Sequence, residues 1–325
     1  MNLLFVSSTY IGDAVLSTGL LAALLARRSE ARVTVACGRA ALPVFEAAPQ
    51  VVHRIGIQKR GRVGHWLDLW RDVVGTSWDM VVDLRGSAFA WTLRARERRI
   101  YRPNPSLGHG SRALAALVGL AELPPPIAWT NAEHEALADR LIPSGARVVA
   151  LGPTGNWAAK IWPAERFAEL AHRLTGRGGP LPGAKVAVLG APGEEAAVAP
   201  LLSALPPDRR IDLVGKAPLG AVPAILKRAD LFVGNDSSPL YMATAAGIPA
   251  VGLFGPTPGL FGPRQGELIA PWAPKVAEAR TPIPWQQLTS SSKAERDAMG
   301  SRMDSLTVDA VEATIRSLLQ RLGAK

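Results

Sequence analysis

The residues best suited to chemistry in this chain gather in "ADLFVGNDSSPLYMATAAGIPAVGLFGPT", residues 229–257. An apolar run stops at Gly234, and Asn235, Asp236, Ser237 and Ser238 lead through Pro239 into a small-residue segment of helical type. A helix start offers amide N–H groups with no partner in the helix, and serine hydroxyls add donors, a set that suits phosphate. The plainer reading is an N-cap with no ligand, and the residues alone leave both open. Asp236 constrains the first reading, because an acid beside a diphosphate has to face sugar hydroxyls or a cation. In "STYIGDAV", Gly12-Asp13 opens the first helical segment, where an aspartate is ordinarily a cap. Arg85 and Ser87 follow a strand-like run, and His109 and Arg112 lie in "NPSLGHGSR". Each of these four can touch an anion or stand solvated. No spacing of His, Cys and carboxylates resembles a metal site.

Short β-rich runs alternating with Ala/Leu-rich helical stretches must position these groups, a pattern that predicts parallel sheets covered by helices. In the first half the strand runs are "NLLFVSS", "RVTVACG" and "DMVVDLRG", with "RRIYRP" a weaker one. Helical spacing marks "AVLSTGLLAALLARR" and "HWLDLWRDVVG". Prolines and polar turns over 123–147 predict the crossing between two domains. The second half restarts with "RVVALGP", "AKVAVLGAP", "IDLVGK", "ADLFVGND" and "PAVGLFGP", each closing on a glycine: Gly152, Gly190, Gly215, Gly234 and Gly255. In open parallel sheets ligands bind beyond the carboxyl ends of strands, so five glycine-tipped strands favour a nucleotide-type pocket.

A chain of 325 residues is long for one core and predicts two domains. The formal net charge is +10, and residues 54–102 hold eleven Arg/Lys against five Asp/Glu. Such a surface favours a polyanion or an anionic membrane, although arginine is also an ordinary solvated residue. The single cysteine, Cys37, excludes an internal disulfide framework and fits a buried, inert thiol in a reducing compartment. The amino-terminal residues carry no basic leader, and no apolar run reaches the length of a spanning helix. The expected location is cytoplasmic. Trp66 and Trp70, four apart on a helix, either seat the protein at a membrane interface or, as such stripes usually do, pack in the core.

The stretch "VGNDSSPLYMATAAGIPAVGLFGPT" closely resembles the signature of glycosyltransferase family 9, the ADP-heptose:lipopolysaccharide heptosyltransferases. "FVSSTYIGDAVLSTGLLAAL" is similar to the family's first strand, Gly-Asp loop and helix, and "VVDLRGSAFAWTLRARERRIY" to its Asp-Leu-x-Gly segment. "GPTGNWAAKIWPAERFAELAHRL" resembles its Lys-x-Trp-Pro segment, and "RMDSLTVDAVEATIRSLLQRL" its closing helix. Two positions depart from the motif: Ser238 stands where the family usually has glycine, and Tyr241 where it has histidine.

The resemblance implies an α/β GT-B fold, two Rossmann-like domains with parallel sheets facing across a cleft. Residues 1–145 would bind the acceptor and 146–325 the nucleotide-sugar, the last helix being placed to pack back on the first domain. It further implies a metal-independent, inverting transfer of heptose or a related sugar to a cell-envelope glycan such as lipopolysaccharide core. By the same match Asp13 is the general base and Lys160 neutralises the departing diphosphate. Thr154, Gly155 and Asn156 lie on a loop that can donate to the same phosphates, and Glu194 matches an acid that holds the nucleotide's ribose or base. Ser237 and Ser238 are expected on phosphate and Asp236 on sugar hydroxyls. Arg85, Ser87, His109 and Arg112 are the acceptor-side candidates. The implied partners are a nucleotide-sugar donor and an anionic glycolipid or glycan, with peripheral contact to the inner membrane, no cofactor and no nucleic acid. A nucleotide-sugar epimerase on the same fold, or a non-catalytic relative that only binds, are the alternatives.

Overall fold

The apolar runs become buried parallel strands wherever both faces of a sheet are covered, as such unbroken Val/Leu-rich segments require. The computed structural model describes residues 1–58, 64–102, 110–255, 273–282 and 300–323. It divides into two compact units that part between Thr130 and Asn131. In the first, strands β1 (Asn2–Val6), β2 (Arg32–Gly38), β3 (Val51–Ile57), β4 (Trp78–Asp83) and β5 (Ala95–Ile100) form a parallel sheet of order β3-β2-β1-β4-β5. Helices α1 (Ile11–Leu16), α2 (Thr18–Ala26), α3 (Gly64–Val73) and α4 (Gly110–Leu117) belong to the same unit. The edge strand β3 escapes a sequence reading because "VVHRIGI" mixes His53 and Arg54 into an exposed face.

The second unit begins with α5 (Ala132–Leu141). Its strands β6 (Val148–Gly152), β7 (Lys185–Val188), β8 (Arg210–Asp212), β9 (Leu231–Asn235), β10 (Ala250–Phe254) and β11 (Val276–Arg280) make a parallel sheet of order β11-β10-β9-β6-β7-β8. Helices α6 (Ala164–Thr175), α7 (Glu195–Ala204), α8 (Val222–Leu226), α9 (Ser238–Ala246) and α10 (Val308–Arg321) complete it. The crossing expected at 145/146 lies earlier, because α5 packs on α8 and on the turn Leu219–Ala221. Arg228 ties it there, its guanidinium donating to Glu135 Oε2 at 2.8 Å and Asp139 Oδ1 at 2.6 Å. The last helix belongs to the second unit. Val311, Ile315, Leu318 and Leu319 of α10 are buried in the core of the second unit, against β11, β10 and α6.

Both sheets reverse their strand order at one point, between β1 and β4 in the first and between β6 and β9 in the second. At such a point the loops leaving adjacent strands diverge to opposite faces and open a crevice beyond the carboxyl ends. The register is close: Val6 pairs with Asp83, and Gly152 with Gly234. These two glycines serve packing, since a Cβ on either would meet the Phe232 ring at 2.8 or 2.6 Å. Gly190 and Gly215, expected at strand tips, lie just past β7 and β8.

Candidate active site

In the second unit, the loops after β6 and β9 flank the reversal point. Fully buried Asn235, the last residue of β9, fastens them together. Its Oδ1 accepts from the Trp162 amide at 3.1 Å and its Nδ2 donates to the Pro153 carbonyl at 2.7 Å. The segment between those contacts carries Thr154, Gly155, Asn156 and, at the end of a 3-10 turn over Ala158–Lys160, Lys160 itself. A second anchor is the Trp162 indole, which is fully buried, donates from Nε1 to the Leu306 carbonyl at 2.7 Å and packs edge-on against Phe167. Pro163 then stands at the N-cap position of α6, without a side-chain capping bond. Asn235 was not singled out in the sequence; its position at the end of an apolar strand, where an asparagine must be paired to be buried, was the available signal.

Lys160 reaches the tip of β9. Its Nζ donates to Asp236 Oδ2 at 2.5 Å, and the Tyr241 hydroxyl, one turn into α9, donates to Asp236 Oδ1 at 2.7 Å. The side chains of Lys160 and Asp236 are only 20% and 11% exposed, so the pair is far less screened than a surface ion pair. The cation that Asp236 requires is therefore Lys160, and the tyrosine in the histidine position supplies its second hydrogen bond. Each carboxylate oxygen keeps further acceptor capacity for a sugar hydroxyl. Ser237 is the N-cap residue of α9 in extended conformation, but its side chain makes no capping bond. Its Oγ is buried and has no hydrogen-bond partner among the described residues. Ser238 opens the helix and Pro239 follows in the first turn. The segment is thus not a capped helix end of the ordinary kind. Glu194 accepts from the Ala191 amide at 2.7 Å and so braces the turn after β7.

In the first unit the same construction recurs. Asp13 is not an N-cap: Tyr10 holds that place, 71% exposed, without a side-chain capping bond. Asp13 stands within the first turn of α1, half-buried, and accepts from the Ser8 hydroxyl at 3.0 Å. The Ser8 hydroxyl thus helps to orient the carboxylate. Across the β1/β4 reversal, fully buried Asp83 accepts from the Arg85 amide at 2.8 Å and from the Ser87 amide and hydroxyl at 2.9 and 2.5 Å. Burial pushes its carboxyl above the usual range, while the bonds from Ser87 and Arg85 pull the other way. Ser87's hydroxyl is therefore spent on Asp83. The Arg85 guanidinium lies 4.7 Å over the Trp66 ring, with one terminal nitrogen buried and unpartnered among the described residues. Burial lowers its pKa, opposed by Asp83. Trp66 stacks on Phe89, whereas Trp70 is 36% exposed, so the expected stripe is half core and half surface. Arg112 is exposed on α4, and His109 lies outside the described residues. Cys37 is buried, and burial pushes its thiol up to about 12, which makes it the inert thiol expected. Among the described residues no cluster of His, Cys, Asp and Glu could hold a metal ion, and no helix is long and apolar enough to cross a membrane.

Two parallel sheets, each with candidate residues at its reversal point, agree with the comparisons. The family model of glycosyltransferase family 9 (heptosyltransferase) matches residues 51–295. The chain belongs to this family. The lipopolysaccharide core heptosyltransferase OpsX of Haemophilus influenzae is 22% identical over 275 residues, covering 75% of this chain and 76% of that protein. Among solved structures, a family 9 glycosyl transferase from Veillonella parvula has a TM-score of 0.78 at 18% identity, over 98% of this chain and 97% of that one. The E. coli ADP-heptose lps heptosyltransferase II has a TM-score of 0.75 at 18% identity, with both chains fully covered. The family 9 chain has the GT-B fold, and it is a divergent member.

Proposed function

We propose that this family 9 glycosyltransferase moves heptose or a related sugar, with inversion, from a nucleoside diphosphate sugar to a cell-envelope glycan such as lipopolysaccharide core. The observation that carries the reading is the Lys160 ammonium held at 2.5 Å from Asp236, at the mouth of α9. In an inverting transfer the acceptor oxygen bonds to the anomeric carbon as the bond to the diphosphate breaks. Charge therefore grows on the leaving group, and fixed donors aimed at it lower the barrier. Lys160, the first-turn amides of α9 and the Ser237 hydroxyl supply those donors, while Asp236 takes sugar hydroxyls on its remaining lone pairs. Asp13 accepts the proton of the attacking hydroxyl; concerted removal depends on its placement more than on its basicity. Glu194, Thr154, Gly155 and Asn156 complete the donor site, and Arg85 meets an anionic group of the acceptor.

The relatives' names support the donor and acceptor classes: one is called a lipopolysaccharide core heptosyltransferase and another an ADP-heptose lps heptosyltransferase. The basic excess over residues 54–102 suits an anionic acceptor at the cytoplasmic face of the inner membrane. Purified protein incubated with ADP-heptose and deep-rough lipopolysaccharide core should release ADP only when the acceptor is present, and a chelator should leave the rate unchanged. Sugar interconversion without acceptor would identify an epimerase instead. Loss of the rate on chelation, restored by an added metal, would transfer the leaving-group role to that ion.

A further inference from the structure

The segment running from Gly300 to Leu306 lies along the Lys160 loop. Ser301 Oγ donates to the Ile161 carbonyl at 2.6 Å, and the Arg302 amide donates to the Ala159 carbonyl at 3.3 Å. Met303 is fully buried; its sulfur stands 3.0 Å from where a Cβ on Gly255 would project, and the Ala159 carbonyl stands 3.2 Å from the same point. This strap, the Lys160 loop and the end of β10 therefore lie close together, and a side chain at Gly255 would crowd Met303 and the Ala159 carbonyl. Arg302 is pinned through its backbone beside the residue that precedes Lys160.

The side chain of Arg302 poses a problem. It is half-buried, and its Nε is buried with no hydrogen-bond partner among the described residues. A guanidinium donor withdrawn from water without an acceptor is costly, and a bound anion would satisfy it. Two other buried donors of the same unit are likewise unpartnered among the described residues: Trp157 Nε1, on the Lys160 loop, and Ser237 Oγ, beside Asp236. The charges point the same way. Lys160 and Asp236 cancel each other, so the pair alone presents no net positive charge to a diphosphate. A cation not already spent on a carboxylate would add to Lys160, and an arginine fork matches phosphate oxygens.

We propose that Arg302 binds the phosphates of the donor, as a cation with no carboxylate partner among the described residues. The inference rests on the donor reading above and adds to it a residue that lies outside the signature segments around Lys160 and Asp236. The test is calorimetric binding of ADP and of adenosine to the full chain, as parent, R302Q and R302K. Neutral Arg302→Gln should lower ADP affinity about tenfold or more, the loss expected for one charge-assisted hydrogen bond, and leave adenosine unmoved. Arg302→Lys, which keeps charge but not the fork, should lose less and carries the test if Arg302→Gln fails to fold. Equal ADP affinity in a folded variant overturns the inference, as does an equal loss for ADP and adenosine, which marks a structural role. If the parent binds none of ADP, UDP and GDP, the donor reading itself fails and takes the inference with it.

Discussion

Replacing Asn235 by aspartate changes one nitrogen to oxygen at the point where the Lys160 loop is fastened. Oδ1 can still accept from the Trp162 amide, but the other oxygen then faces the Pro153 carbonyl at the 2.7 Å now spanned by a hydrogen bond. Two acceptors in a fully buried site repel, unless the new carboxyl keeps its proton and donates. Its pKa in the folded protein must therefore lie above the unfolded value of about 3.9. A raised carboxyl pKa means that the folded state binds the extra proton, so the variant is closest to the parent below about pH 4 and loses stability as pH rises toward the folded pKa. Each pH unit in that window costs about 1.4 kcal/mol, and two units about 2.7 kcal/mol. That approaches the cost of releasing the loop, since leaving the Trp162 N–H and the Pro153 carbonyl unpaired costs about 1–3 kcal/mol each.

Urea unfolding of parent and Asn235→Asp from pH 4 to pH 8 measures the difference directly. Asp83, whose pKa burial also raises, loses its contribution in the same direction in both proteins and cancels on subtraction. Asn235→Ala should show a similar penalty at neutral pH but no slope with pH. An Asn235→Asp variant as stable as the parent at pH 7, or equally weakened at every pH, would refute the assigned hydrogen bonds and with them the claim that Asn235 holds the loop.

The remaining expectations concern the charged residues. Asp13→Asn should abolish turnover while ADP affinity stays within about twofold, since the amide keeps the shape but takes no proton; a near-normal rate would remove Asp13 from the mechanism. Lys160→Ala should weaken ADP binding about tenfold and slow transfer as well, whereas unchanged ADP affinity would return the phosphate site to backbone amides. Asp236→Ala should lower stability by about 2–3 kcal/mol, between the values for exposed and buried pairs, because Lys160 is left uncompensated. It should not weaken ADP binding, and a loss as large as that of Lys160→Ala would show that Asp236 positions the lysine for phosphate.

What could be read from sequence was set by burial. Strands β1, β2, β4, β6, β9 and β10 are apolar nearly throughout because both their faces are covered, and all were legible. The edge strands β3 and β11 carry His53, Arg54 and Glu278 on open faces and were not. The prolines and polar turns over 123–147 marked the crossing, but nothing in them says that Arg228, far along the chain, would claim Glu135 and Asp139 for the second unit. At the candidate site, Lys160 and Asp236 were each legible, one before Trp-Pro and the other beyond an apolar strand. Their pairing was not, because it depends on β6 and β9 being neighbours at the reversal of the sheet. Asp83 and Asn235 end apolar strands as buried polar residues, a recurring signal that here marks the residues holding the loops rather than those meeting a ligand.

Of the two departures from the family motif, one bears on hydrogen bonding and the other on charge. Ser238 in the glycine position adds a hydroxyl at the helix start but no charge. Tyr241 in the histidine position keeps a donor on Asp236 at 2.7 Å, and a phenol, unlike an imidazole, stays neutral throughout the physiological range. A histidine there could have become cationic as the diphosphate arrived, sharing with Lys160 the charge that builds on the leaving group. With tyrosine that route is closed. Lys160 is paired with Asp236, so a further cation on another element would add to what Lys160 offers the phosphates. The strap after residue 299 brings Arg302 to the same loop, held by the Ala159 carbonyl and with a buried nitrogen that lacks a partner among the described residues. On the proposal made for Arg302, the strap brings to the phosphates a positive charge that a tyrosine at position 241 does not.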